Sequence, residues 1–172
     1  MRVVAGELGG RRLVAPPGND TRPTSDKVRQ AIFNALDSAG LLDGALVVDL
    51  FAGSGALGIE ALSRGAESCV FVERDRAAVA ALRSNLSSLG LEKRSRVVVG
   101  DASTYGATLG SVDLVLADPP YRFDSWEAML AGLAADDVIA ESDREIPAPQ
   151  GWESVRARRY GRTFITWLHR VA

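Results

Sequence analysis

Cysteine and histidine each occur once in the 172 residues, as Cys69 and His169. One cysteine excludes an internal disulfide, and with no Cys/His cluster no metal site is expected. Cys69 stands in an apolar run and reads as a core residue. No apolar stretch approaches the roughly 18–20 residues that a membrane-spanning helix needs. The opening Met1-Arg2-Val3-Val4 turns polar too soon for a signal peptide, so a cytoplasmic protein is expected. Internal repeats and low-complexity segments are also missing. What remains is ordinary for a globular chain, with 47% hydrophobic and 24% charged residues. At this length a single domain can bury roughly 70% of the surface its unfolded chain exposes.

A strong net charge is lacking too, the formal value being −2. Its distribution is uneven: residues 1–40 sum to +2, residues 41–150 to −8 and residues 151–172 to +4. Basic ends around an acidic middle permit a polyanionic partner at the ends, although a solvated face has the same composition. Arg2, Arg11, Arg12, Arg22 and Arg29 are the candidate phosphate contacts.

Residues 2–6 and 11–15 form two short, partly apolar runs around Glu7-Leu8-Gly9-Gly10, which reads as a β-hairpin. Thr24 or Ser25 can cap a helix whose apolar positions Val28, Ala31, Ile32, Ala35 and Leu36 follow helical spacing. From residue 45 strands and helices alternate. Strands are expected at Ala45–Leu50, Cys69–Glu73, Arg96–Val99 and Val112–Ala117, with a short fifth at Asp137–Glu141. Helices are expected at Ala56–Arg64, behind Asp75, and at Ser125–Ala134. Trp152–Arg159 and Arg162–Leu168 read as a closing antiparallel pair turning at Tyr160-Gly161. Continuous apolar strands between helices imply a doubly wound parallel sheet covered on both faces, with its ligand at the carboxyl ends of the strands.

Four motifs fall on those ends. The first, Asp49 to Gly58, joins the first strand to its helix and carries Gly53, Gly55 and Gly58 in G-x-G-x-x-G spacing. That spacing alone suits a nicotinamide or flavin enzyme. Here Phe51-Ala52 separate the glycines from the strand, and Asp49 stands where a pyrophosphate would be repelled. S-adenosylmethionine has no phosphate, and its ammonium and sulfonium favour a nearby carboxylate. In the second motif, Glu73-Arg74-Asp75, Glu73 ends the second strand where an acid accepts ribose hydroxyls, and Asp75 reads as a helix cap. In the third, Asp101 can accept the adenine amino group and Ala102 lend its N–H, although an Asx-turn explains them as well. The expected cofactor set is Asp49, Phe51, Gly53, Gly55, Gly58, Glu73, Arg74, Asp101 and Ala102.

The fourth motif, Asp118-Pro119-Pro120-Tyr121, follows an apolar strand. Two prolines can simply end a strand, but an acid and an aromatic bracketing them suit one chemistry. The exocyclic amine of guanine or adenine is a poor nucleophile because its lone pair is delocalised into the ring. The Asp118 carboxylate and the Pro119 carbonyl can accept both N–H groups. That aims the lone pair at a methyl group and offsets the charge that develops on nitrogen. Proline fixes φ and holds the acceptors, and Tyr121 can stack on the base.

With these residues in view, the chain resembles the RsmD family of 16S ribosomal RNA guanine-N2 methyltransferases. The resemblance runs through Arg2–Gly6 with Gly10–Leu13, Thr21–Arg29, Asp49–Gly58, Glu73, Gly100–Ala102 and Asp118–Tyr121. It implies a Rossmann-like, seven-stranded class I methyltransferase sheet, α/β and mostly parallel with an antiparallel last strand, plus an N-terminal β-hairpin extension. Residues 1–24 would then be a basic RNA-contacting extension and residues 25–172 the methyltransferase domain. The implied cofactor is S-adenosylmethionine, and the implied partner is ribosomal RNA or a small-subunit particle met by a monomer. Three other readings compete: an adenine-N6 methyltransferase on DNA or RNA, a nicotinamide-dependent oxidoreductase, and a non-catalytic RNA-binding module.

Overall fold

The computed structural model describes residues 1–18 and 24–172. After the N-terminal extension, Ser25 opens helix α1 (Asp26–Ser38), its hydroxyl accepting the Val28 N–H. Strand β1 (Leu46–Leu50) leads to α2 (Ala56–Ser63), and β2 (Ser68–Glu73) to α3 (Arg76–Ser88), which Asp75 caps through the Ala78 N–H. β3 (Ser95–Val99), α4 (Ala102–Gly106), β4 (Val112–Ala117), α5 (Trp126–Gly132) and β5 (Ala135–Ser142) follow, and β6 (Trp152–Tyr160) and β7 (Thr163–Arg170) close the chain.

The seven strands form one sheet in the order β3-β2-β1-β4-β5-β7-β6. β1 to β5 are mutually parallel where paired, and β7 runs antiparallel to both neighbours. β6 is therefore an edge strand, and its pairing slips at Val155, between Ser154 and Arg156. Side-chain alternation splits the core into two layers. Val47, Phe71, Leu114, Leu116 and Ile139 pack with the apolar faces of α1, α2 and α3. Val48, Leu50, Val72, Val115 and Val138 pack with α5, including Trp126, Met129 and Leu130. Among the described residues no helix is long and apolar enough to cross a membrane.

Two expectations change. α4 was not foreseen; Asp101 caps it by accepting the Thr104 N–H and hydroxyl. The fifth strand is not short but spans eight residues. Parallel pairing of Ala135 with Val112 extends its start, and antiparallel pairing of Ser142 with Phe164 extends its end.

The N-terminal hairpin is narrow: one antiparallel bridge, Arg2 to Arg12, flanked by bonds from Val3 N to Arg11 O and from Gly10 N to Val3 O. Much of its hold on the sheet domain comes from backbone groups. The N–H groups of Val4 and Ala5 donate to the Glu60 carboxylate, Leu8 N donates to Ser63 Oγ, and Val14 exchanges two bonds with Asn85. Gly6 makes the close approach possible, because a Cβ there would lie 2.1 Å from the Ser63 carbonyl oxygen.

The same region corrects the reading of Arg29 as a phosphate contact. Its side chain is fully buried under the extension, donating to the Arg2 carbonyl and to Asp26, with Nε 3.7 Å from the buried Glu60. Arg64 completes the network by bridging Glu60 and Asp37. A guanidinium so enclosed cannot reach an RNA backbone. Arg2, Arg11 and Arg12 are exposed, and Arg22 lies outside the described residues.

Candidate active site

A cleft of about 1060 Å³ opens at the carboxyl ends of β1, β2, β4 and β5. The loop after β1 forms its floor. Phe51 takes a left-handed φ of 60°, a conformation that costs a non-glycine residue on the order of 1–3 kcal/mol and tends to persist at functional sites. Gly53 and Gly55 also have positive φ. Gly55 is the residue before α2, and a Cβ there would meet Leu82 at 2.4 Å. Gly58 serves packing: its Cβ would stand 2.4 Å from the Phe71 ring and 2.7 Å from the Cys69 sulfur, so α2 lies close on β2.

Asp49 is buried beneath this loop, where its carboxylate accepts the Gly58 N–H at 2.9 Å while still lining the cleft. Burial, with Glu73 nearby, pushes its pKa up to about 8. Glu73, at the end of β2, accepts three backbone N–H groups, from Gly53, Arg74 and Asp75. It thus fixes the glycine loop and lines the cleft together. Arg74, Asp101 and Ala102 stand at neighbouring strand ends but do not line the cleft. Ala102 is packed in the core layer beside α5, and the exposed Asp101 carboxylate is engaged in capping α4, which lowers its pKa.

Asp118, Pro119, Pro120 and Tyr121 also line the cleft. Pro119 is buried and Tyr121 is half exposed. The Pro120 carbonyl accepts the Phe123 N–H, which turns the chain so that Phe123 packs edge-on between Phe51 and Trp126, at 5.3 and 5.1 Å. The motif therefore meets the glycine loop through an aromatic wall.

Two residues of this cleft escaped the sequence reading. The Thr24 hydroxyl oxygen lies 2.6 Å from Glu141 Oε2 and 3.3 Å from Asp118 Oδ2. Burial, then the neighbouring Glu141 and Asp49, hold Asp118 well above the usual carboxylate range. Burial also raises Glu141, while the Thr24 hydrogen bond pulls it back down. Glu141 had a signal: it is an acid at a strand's carboxyl end, as are Asp49, Glu73 and Asp118. Thr24 read only as a cap, and Ser25 took that place. Among the described residues no group of side chains is arranged to hold a metal ion.

Comparison with known proteins agrees with this architecture. The family model described as "Conserved hypothetical protein 95" matches residues 1–169. The chain is 42% identical to the Bacillus subtilis (strain 168) protein YlbH, over 87% of this chain and 86% of that one. It is 35% identical to the ribosomal RNA small subunit methyltransferase D of Escherichia coli (strain K12), over 100% of this chain and 91% of the relative. The solved structure of the Escherichia coli protein yhhF superposes with a TM-score of 0.87 at 35% identity, covering 100% of this chain and 98% of that one. With its sheet, its cleft and its full-length match in accord, the chain belongs to the family described as Conserved hypothetical protein 95, the RsmD family of methyltransferases.

Proposed function

We propose that this protein transfers a methyl group from S-adenosylmethionine to the exocyclic N2 amine of a guanine in small-subunit ribosomal RNA. The observation that carries the reading is the sharing of one cleft by Asp118, Asp49 and Glu73, each at the carboxyl end of a different strand.

The cleft fits the cofactor on its own chemistry. Asp49 is a buried acid whose ionisation no cation among the described residues offsets, since burial and Glu73 both raise it. A sulfonium or ammonium beside it would restore the charge balance. Glu73 keeps its carboxylate at the cleft edge for ribose hydroxyls. S-adenosylmethionine, when bound, supplies an electrophilic methyl on a cationic sulfur. The protein's part is then positioning and electrostatics. Asp118 and the Pro119 carbonyl accept the amine's hydrogens, Tyr121 stacks on the base, and the Phe51–Phe123–Trp126 wall keeps water from one side. Orientation of this kind supplies about 7–11 kcal/mol of a barrier in favourable cases. The base must be looped out of its stack to enter.

The exposed Arg2, Arg11 and Arg12 belong, in this reading, to the face of residues 1–24 that meets the RNA backbone. Arg2 sits 3.4 Å from Asp26, and Arg11 donates to the Ser88 carbonyl, so both have tethers from which a phosphate could draw them.

Single-turnover methyl transfer to ribosomal RNA at saturating cofactor tests the reading. Asp118→Ala should cut the rate by about 10²–10³, the size seen when one transition-state hydrogen-bonding group is lost, and leave cofactor affinity nearly unchanged. Asp118→Asn should keep part of the activity, Tyr121→Phe most of it and Tyr121→Ala little. A wild-type rate for Asp118→Ala would reduce the motif to a turn.

A further inference from the structure

The Thr24 hydroxyl has one proton and two carboxyl oxygens within reach, Glu141 Oε2 at 2.6 Å and Asp118 Oδ2 at 3.3 Å. It can donate to only one of them. The other bond forms only when that carboxyl is protonated and donates to the Thr24 oxygen. Both contacts are therefore satisfied together only when the two acids hold at least one proton between them. With one proton held, either Asp118 is the anion and Glu141 the acid, or the reverse. The two acids come from adjacent strands, β4 and β5, and Thr24 reaches them from just before α1.

We propose that Glu141 and Thr24 are positioning residues of the methyl-transfer site, joined with Asp118 in a unit that governs when Asp118 is the anion that receives the amine. The proposal rests on the reading of Asp118 as the amine's acceptor. Burial alone would leave Asp118 neutral, and a neutral acid cannot offset a charge developing on nitrogen. Two neighbouring carboxyls in a dry site lose one proton together more readily than two. The Thr24 hydroxyl lies between the two and can donate to either ionised carboxyl, and donation to Asp118 favours the anion there. The step balances. The amine nitrogen bonds the methyl carbon as the carbon–sulfur bond breaks, leaving a neutral thioether. The N–H proton passes to Asp118 Oδ and is returned to solvent before the next cycle.

Among the described residues, the charged groups around the unit are few. Asp118 faces Glu141 and Asp49, and Asp49 faces Glu73. Glu141 faces Asp118 and the Thr24 hydroxyl. Arg122, Asp143 and Tyr160 also line the cleft.

The two positioning residues act on Asp118 in opposite directions, since Glu141 raises its pKa by like charge and Thr24 lowers it by donation. The acid limb of the pH–rate profile reports that pKa. Single-turnover rates from pH 5 to 9 should place the limb of Glu141→Gln about one unit below wild type, a displacement usual for removal of a neighbouring like charge. The limb of Thr24→Val should move above wild type, and that of Thr24→Ser should match it. Should Thr24→Val not fold by its thermal melt, Thr24→Ala carries the same expectation. Calorimetry with S-adenosylhomocysteine should give wild-type affinity throughout. Limbs that coincide with wild type, or that move in the same direction, would overturn the proposal. An active Asp118→Ala protein would instead overturn the reading beneath it.

Discussion

Asp49 offers a sharp test of the proposed cofactor site, because in that reading its burial puts stability and binding in opposition. In the unfolded chain this carboxyl ionises near 3.8, whereas in the folded protein it does so only at about 8. Between those values the folded state holds a proton that the unfolded state has lost. Its stabilising effect is thus complete below pH 4 and is lost as pH rises through 8. At pH 7 the group lies about three units above its unfolded pKa, and each unit is worth about 1.4 kcal/mol, so the ligand-free protein forgoes about 4 kcal/mol. Asp49→Asn removes that cost and keeps an oxygen for the Gly58 N–H. The new amide hydrogens need acceptors in a buried place, a penalty of about 1–3 kcal/mol. The net is about 2 kcal/mol of stabilisation at pH 7, or roughly 4–8 °C in Tm for a chain of this size. Thermal melts of ligand-free protein at pH 5, 7 and 8.5 should show the variant's advantage growing with pH. Calorimetry should show S-adenosylmethionine affinity falling at least about tenfold, and wild-type binding at pH 7 should release a proton, read as a dependence of the binding heat on the buffer's ionisation enthalpy. A melting difference that stays constant with pH would refute the reasoning.

Three other perturbations have defined outcomes. Gly58→Ala places a methyl against Phe71 and Cys69 and should cost about 1–3 kcal/mol in a denaturant melt, by overpacking. Arg29→Ala leaves Glu60 buried without one of its cations and should cost about 3–5 kcal/mol, a loss seen in stability and not in the salt dependence of RNA binding. Replacing Arg11 and Arg12 together by alanine should weaken RNA binding and flatten its salt dependence, since each lost phosphate contact releases fewer counterions, while cofactor affinity stays the same. Filter binding at several salt concentrations measures this, and an unchanged slope would remove the extension from the RNA face.

Much of this was legible in the chain because the sheet is covered on both sides, which makes its strands continuous apolar runs between glycines. The acids at strand ends were legible for the same reason: each interrupts such a run at its close. α4 was hidden because five residues show no period, and its cap, Asp101, had been given to the cofactor. Arg29 was misread as surface although it shares a helical face with Ile32, Phe33 and Leu36, three, four and seven residues on. Spacing pointed inward, but charge pointed outward, and the pairing that decides the matter lies on α2. The contact between Thr24 and Glu141 spans 117 residues, and no local pattern encodes a hydroxyl placed between two acids by different strands.

The slipped pairing at Val155 has a consequence for the protein outside its catalytic cycle. A nine-residue edge strand presents a row of unpaired backbone groups, a template on which another chain can build a β-sheet. Here the strand is twisted out of register at Val155 and then carries exposed Arg156, Arg158 and Arg159. A second copy approaching edge to edge would meet a kinked ladder and its own guanidinium charges repeated on the other side. The arginines that make residues 151–172 basic thus also guard the sheet against self-association in a crowded solution.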